Sequence, residues 1–276
     1  MIQSDWGDWL VRDVESATPE GVAIWYLGCN GLILKDSDGT TIYIDPYLGL
    51  GDPPRTVRMI PVPFDPEDVT DADAVLATHE HTDHVHGPSQ APILESSGTF
   101  YGADDSLAVA HDEEWTTEWD VADDQLVEVS EGDTLEIGAF TVHVEVANDP
   151  DATHPVSYVL EHDAGTVFHG GDTKPSDEFD RLGDEYEIDL GILAFGTVGQ
   201  IPDKETREPK RTRWYNDENQ IVEAASALEV DRLVPTHWDM WKGLTADPTV
   251  LHHHARSFEH PTRLEIVEIG DRVDLA

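Results

Sequence analysis

Thr78-His79-Glu80-His81-Thr82-Asp83-His84 packs three histidines and two carboxylates into one short stretch, directly after the apolar run 74–77. Neutral imidazole nitrogens and carboxylate oxygens are the donors that zinc and neighbouring divalent ions accept, and a strand ending in a tight turn can aim several of them at one point. If extended geometry persists, His79 and His81 face the same side. Asp83 and His84 follow at the turn, placed to serve a second ion. Glu80 and Thr82 alternate away, toward hydrogen bonding or solvent. Crowding so many polar groups together without a cation is costly, which weighs against a plain surface loop.

A metal cluster needs further donors, and loops at strand ends are where they are expected. His154 lies in Asp-Ala-Thr-His-Pro, just before a strand predicted over 156–160. Asp172 follows the predicted strand 166–169 in His-Gly-Gly-Asp-Thr, where two glycines let the backbone pass close to a neighbour. His237 ends the strand 232–235 in Pro-Thr-His-Trp-Asp-Met-Trp. Taken singly, each also reads as a loop residue or a helix cap. Taken with the first motif, they form one consistent set.

The rest of the chain alternates strands and helices. Residues 22–27, 32–35 and 41–44 read as an antiparallel meander, broken at Gly28/Gly31 and at Asp36-Ser37-Asp38-Gly39. Further strands are expected at 98–101, 125–129 and 188–195, hairpins over 134–146 and 156–169, and a closing strand over 263–269. Helices are expected near 105–111, over 216–228 and over 248–258. Two sheets packed face to face with helices outside satisfy this order. No internal repeat or low-complexity segment interrupts it, and residues 1–276 read as a single domain.

The order and placement of His79-x-His81-x-Asp83-His84, His154, Asp172 and His237 resemble the metallo-β-lactamase superfamily. Ile-Trp-Tyr-Leu-Gly-Cys-Asn-Gly near the start, Ile-Asp-Pro-Tyr after it, and Pro-Thr-His-Trp-Asp-Met-Trp with Ala-Asp-Pro near the end are similar to its ascorbate-6-phosphate lactonase group. The resemblance implies a four-layer αββα sandwich of two mixed β-sheets. It implies two divalent ions, manganese or zinc with iron also compatible: one held by His79, His81 and His154, the other by Asp83, His84 and His237, with Asp172 bridging. Asp83 and Asp172 are then the catalytic candidates, Asp83 as acceptor of the nucleophile's proton. Asp45, at the end of strand 41–44, is a candidate to orient a ligating imidazole. The group also implies a homo-oligomer.

Composition sets further limits. Acidic residues number 58 against 16 basic ones, a formal net charge of -42. At about molar salt the Debye length falls to roughly 3 Å and such self-repulsion is screened, so acids spread along the chain point to adaptation to a high-salt cytoplasm. Nucleic acid is disfavoured as a partner, because phosphate neutralisation needs clustered Lys and Arg. No apolar stretch is long enough to span a membrane, and no secretory leader is evident at the start, so a cytoplasmic protein is expected. Cys29 is the only cysteine, which excludes an intrachain disulfide and a multi-thiolate metal cluster.

The expected reaction is hydrolysis of a lactone or ester in a small anionic molecule by a hydroxide bridging two metals. A phosphodiesterase acting on a phospholipid or nucleotide uses the same chemistry, and a non-catalytic metal-binding protein is the third alternative. The segment 204–213 holds Lys204, Arg207, Lys210, Arg211 and Arg213, a local excess of cations in an acidic chain. Arg207, Lys210, Arg211 and Arg213 are therefore candidate anchors for a phosphate or carboxylate. An acid-paired surface or a subunit contact fits that segment equally. Trp238, with Trp241 and Tyr215, is a candidate to line the pocket. His252, His253, His254 and His260 read as helix-surface residues.

Overall fold

The structure is a computed structural model describing residues 2–95 and 98–276; Met1, Ser96 and Ser97 of the expected domain lie outside the described residues. Strands β1 (Val22–Gly28), β2 (Gly31–Asp36), β3 (Thr41–Ile44), β4 (Ala74–Leu76), β5 (Thr99–Gly102) and β6 (Leu126–Glu128) form most of one sheet. Strands β7 (Thr134–Ile137), β8 (Phe140–Val146), β9 (Val156–His162), β10 (Gly165–His169) and β11 (Leu190–Ala194) begin the second. β12 (Gly199–Pro202) and β13 (Pro209–Thr212) make a separate hairpin, β14 (Arg232–Thr236) and β15 (Arg263–Leu264) complete the second sheet, and β16 (Arg272–Leu275) returns to the first. The spatial orders are β16-β1-β2-β3-β4-β5-β6 and β15-β14-β11-β10-β9-β8-β7. Both sheets mix parallel and antiparallel neighbours.

Strand β1 shows why the sheets are layered. All seven of its residues are buried, because both faces are covered. Ala23, Trp25 and Leu27 pack outward with Leu10, Val11 and Val14 of helix α1 (Trp9–Ser16) and with Ala91, Ile93 and Leu94 of α2 (Gly87–Leu94). Val22, Ile24 and Tyr26 point inward onto Val142, Val144, Tyr158 and Leu160 of the opposite sheet. Helices α3 (Asp104–Asp112) and α4 (Trp115–Glu118) extend the first outer layer, with Ala110 and Trp115 in its core. On the far side, α5 (Phe179–Glu185), α6 (Glu218–Ala227) and α7 (Leu251–Ala255) cover the second sheet through Phe179, Leu182, Ile221, Val222 and Leu251. The result is an αββα sandwich. Helix α1 ends where the buried Lys35 ammonium donates to the carbonyls of Val14 and Glu15, a cation at the negative end of the helix dipole.

Two expected elements differ. The closing strand predicted over 263–269 is only Arg263–Leu264 in β15; residues 265–268 run on outside any strand to a turn at Gly270 (φ 85°), after which β16 begins. The helix predicted over 248–258 is shorter, a 3₁₀ turn Pro248–Val250 leading into α7.

Two hydrogen bonds between the sheets matter for function. The Tyr158 hydroxyl donates to Ala77 O at 2.7 Å, and Val156 N–H donates to Thr78 O at 2.9 Å. They bind the second sheet to the segment entering the histidine motif.

Candidate metal centre

The motif after β4 does not continue as a strand. It bends at Thr78 and turns, with the His84 and Val85 amides both donating to His81 O at 2.8 Å. That turn, and not strand alternation, stacks the imidazoles: His79 and His81 rings lie 4.6 Å apart, and His79 and His84 rings 3.8 Å apart. The close approach of the β10 loop depends on Gly171, at φ 56°, where an added Cβ would sit 2.6 Å from the Thr78 hydroxyl. Asp172 is thereby carried up to the motif.

Asp45 orients the arrangement from below. Wholly buried, it accepts from Thr78 N–H at 2.9 Å and from the Thr78 hydroxyl at 2.7 Å, and its Oδ2 lies 2.7 Å from His84 Nδ1. A carboxylate only accepts, so His84 Nδ1 carries the proton and Nε2 is left facing the cluster. That Nε2 is buried without a hydrogen-bond partner among the described residues. His79 Nδ1 stands 3.0 Å from the Thr78 hydroxyl, and His81 Nε2 stands 3.1 Å from the Asp151 carbonyl. Each ring therefore spends one nitrogen as a donor, and His79 Nε2 and His81 Nδ1 face each other at 3.0 Å as lone pairs. Two facing acceptors and an orphaned buried imidazole nitrogen are what a bound cation would satisfy, so the residues fit metal ions.

The donors fall into overlapping groups: His79, His81 and Asp149; His79, His84 and Asp172; and Asp83, His84 and His237 with Cys29. Asp149 Oδ2 is 3.6 Å from His79 Nε2. His237 Nε2 is 3.5 Å from both Asp83 Oδ2 and Asp172 Oδ1, and Asp172 Oδ2 is 3.6 Å from His84 Nε2. Asp172 thus lies between the two sides of the cluster. It is fixed there by Asn30, whose side-chain amide donates to Oδ1 at 2.7 Å and whose oxygen accepts from Thr236. The His237 ring is stacked on Tyr215 at 3.9 Å.

His154 is not brought to this cluster. It is exposed and its Nδ1 lies 2.7 Å from carboxylate oxygens of Asp104 and Asp105 at the start of α3. Asp149, in the loop after β8, turns inward in its place. The signal for it lies in Asn148-Asp149-Pro150, a polar strand end, but histidine is the more typical ligand type.

Electrostatics follow from burial and mutual proximity. Burial, reinforced by the neighbouring His84, pushes His79 down to about 3. Burial also disfavours a charged His84, yet the Asp45 and Asp172 carboxylates outweigh it and hold that ring well above the ordinary histidine range. Burial would raise Asp172 and Asp83, but the surrounding imidazoles keep both below the usual carboxylate value. Asp149, buried and facing Asp172, is raised.

The centre opens into a cavity of about 570 Å³ lined by His81, Asp83, Asp149 and Asp172 at its floor and by Tyr47, Trp214, Tyr215 and Trp241 on its walls. Its cations are Arg55, Lys204 and Lys210. Of the four basic residues expected to bind substrate, Lys210 is at this cavity. Arg207 faces Asp52 at 3.6 Å, Arg213 pairs with Asp217, and Arg211, an exposed residue of the β12–β13 hairpin, is not among the lining residues. Trp238 packs instead against the outer core of the second sheet. Arg55 carries no signal in the sequence; its guanidinium lies 5.2 Å over the Trp214 ring.

Residues 40–238 match the family described as the beta-lactamase superfamily domain, a span that takes in the histidine motif, Asp149, Asp172 and His237. The chain is 26% identical to the probable L-ascorbate-6-phosphate lactonase UlaG of Escherichia fergusonii, over 88% of this chain and 77% of the relative. Igni18, a metallo-hydrolase from Ignicoccus hospitalis, superposes with a TM-score of 0.66 at 19% identity, covering 91% of this chain and 97% of its own. CmlA, a diiron β-hydroxylase from Streptomyces venezuelae, shares the fold with a TM-score of 0.64 at 17% identity, covering 94% and 54%. With a family match over more than half its length, the chain belongs to the metallo-β-lactamase superfamily.

Proposed function

We propose that this protein is a metal-dependent hydrolase that opens a lactone or ester in a small anionic substrate. The observation that carries the proposal is one cavity with buried imidazole and carboxylate donors at its floor and Arg55, Lys204 and Lys210 at its sides. His79, His81 and Asp149 would hold one divalent ion and Asp83, His84 and His237 another, with Asp172 between them. Ions so held supply Lewis acidity and an acidified water as nucleophile near neutral pH.

The chain's own groups supply the remaining functions. Asp45 and Thr78 engage the Nδ1 atoms of His84 and His79, which turns their Nε2 nitrogens toward the cluster. Asp83 faces the cavity, with its Oδ2 receiving the Trp241 indole N–H at 3.3 Å, and is placed to take a proton from an attacking water. The aromatic walls suit the body of a small molecule, and the three cations suit a phosphate or carboxylate on it. The relatives named L-ascorbate-6-phosphate lactonase act, by that name, on a phosphorylated lactone, and such a substrate fits these features.

Imidazole and carboxylate donors suit manganese, zinc and iron, and Asp149 in place of a histidine adds an oxygen donor that favours the harder ions. No helix among the described residues is long and apolar enough to cross a membrane.

The test is hydrolysis by protein loaded in turn with manganese, zinc and iron, assayed in about molar salt on phosphorylated lactones, neutral lactones and phosphodiesters. Preference for the phosphorylated lactone supports the proposal; turnover of phosphodiesters alone moves the assignment to phosphoryl chemistry, and inactivity of the fully loaded protein on the whole panel overturns it.

A further inference from the structure

We infer that the Cys29 thiolate is a ligand of the ion at Asp83, His84 and His237, an inference that rests on the two-ion centre proposed above. The thiol is wholly buried at the tip of the β1–β2 connection. Its Sγ lies 3.1 Å from His237 Nε2 and 3.7 Å from Asp83 Oδ2, and those two atoms are 3.5 Å apart. Donors around one tetrahedral ion, at about 2.0–2.3 Å from it, stand about 3.3–3.7 Å from one another. Two of the three separations match that spacing, and the 3.1 Å between Sγ and His237 Nε2 is a few tenths of an ångström shorter, so an entering ion would spread those two atoms slightly.

A second observation points independently to a ligand at that place. His84 Nε2 is wholly buried, has no hydrogen-bond partner among the described residues, and belongs to the same group of converging donors. An ion shared by Cys29, Asp83, His84 and His237 satisfies it. The Cys29 backbone is held beside His237, since its carbonyl accepts from the His237 amide and from the Tyr26 hydroxyl.

The alternative is a cysteine that merely fills space. Its flank does belong to the apolar cluster of Tyr215 and Trp241, but Sγ itself is turned to an imidazole nitrogen and a carboxylate. Without a cation, burial and the Asp83 and Asp172 charges hold the thiol protonated. On coordination the S–H proton leaves to solvent and a metal–sulfur bond takes its place, because a bound divalent ion reverses the local charge balance.

Cobalt(II) is the probe. Full-length wild-type protein loaded with cobalt should show a near-ultraviolet sulfur-to-cobalt charge-transfer band, absent in Cys29→Ser and Cys29→Ala. The zinc-loaded wild type should show a sulfur scatterer at about 2.3 Å in its X-ray absorption spectrum. Both variants should bind one of the two ions at least about tenfold more weakly. Two bound ions with neither signature in the wild type overturn the thiolate assignment and leave the two-ion centre standing. Failure to bind two ions overturns both. The decisive spectra are those of the wild type, so the thiolate assignment stands or falls even where a variant does not fold.

Discussion

The backbone amide of His237 donates to the carbonyl of Cys29 at 2.9 Å, and both residues adopt left-handed backbone, with φ of 65° and 59°. The end of β14 is thereby joined to the end of β1, and the two side chains are turned toward each other. Asparagine tolerates this conformation and valine does not. In metal-free protein, His237→Val should be less stable than His237→Asn by about 1–2 kcal/mol, read as a shift in urea unfolding. Equal midpoints would show that the left-handed backbone is not maintained.

Asp149 and His154 make opposite predictions. Asp149→Ala should remove the ion at His79 and His81, so that elemental analysis finds close to one ion per chain. His154→Ala should leave two, since its ring is exposed and bonded to Asp104 and Asp105. Loss of an ion from the His154 variant alone would restore the ligand set expected from the sequence.

Metal affinity should rise with pH. In the ion-free protein the Asp45 and Asp172 carboxylates hold His84 protonated above its ordinary range despite burial, and that proton competes with an ion for the ring. The competition strengthens steadily as pH falls below the raised pKa and fades as pH passes upward through it. Titration calorimetry in buffers of different ionisation heat should show proton release and tighter binding at about pH 8 than at about pH 6. Asp45→Asn should weaken binding about 10–100-fold through loss of ring orientation. An affinity independent of pH would contradict the assignment of His84.

The cations that line the cavity and the neighbouring ones that do not should separate kinetically. Arg55→Ala, Lys204→Ala and Lys210→Ala should each raise KM for an anionic substrate about three- to tenfold, while Arg211→Ala and Arg213→Ala leave it unchanged, because only the first three line the cavity. A larger effect from Arg211 or Arg213 would move the anion site away from the cavity.

With a net charge of -42, unfolding midpoints should climb steeply between dilute buffer and about molar salt as the Debye length contracts to roughly 3 Å. Full stability in dilute buffer would rule out dependence on salt.

The strands were legible where both faces are buried, as in β1 and β11, whose apolar runs admit little else. The β12–β13 hairpin was not, because Pro209, Lys210 and Arg211 carry no strand signal and the pairing rests on tertiary context. Among the candidate donors, the motif at 79–84, Asp172 and His237 stood out in the sequence because each follows closely on a strand. The choice between Asp149 and His154 was not, since both sit in the one loop between β8 and β9 and only the fold decides which bends inward. Arg55 and Asn30 were invisible for the same reason: one reaches the cavity by stacking on Trp214, and the other acts through Asp172 and Thr236.

Strand β1 lies between β2 and β16, with Val22 paired to Leu275. On a ribosome this order has a cost in time. β1 and β2 emerge early, but the strand that covers the other edge of β1 follows every other strand of both sheets in the chain, and at about 5–20 residues per second the interval is on the order of tens of seconds. Throughout that interval one hydrogen-bonding edge of a wholly buried strand stays open, the condition under which nascent chains pair with one another. The sheet that carries the histidine motif is therefore completed only after the other one.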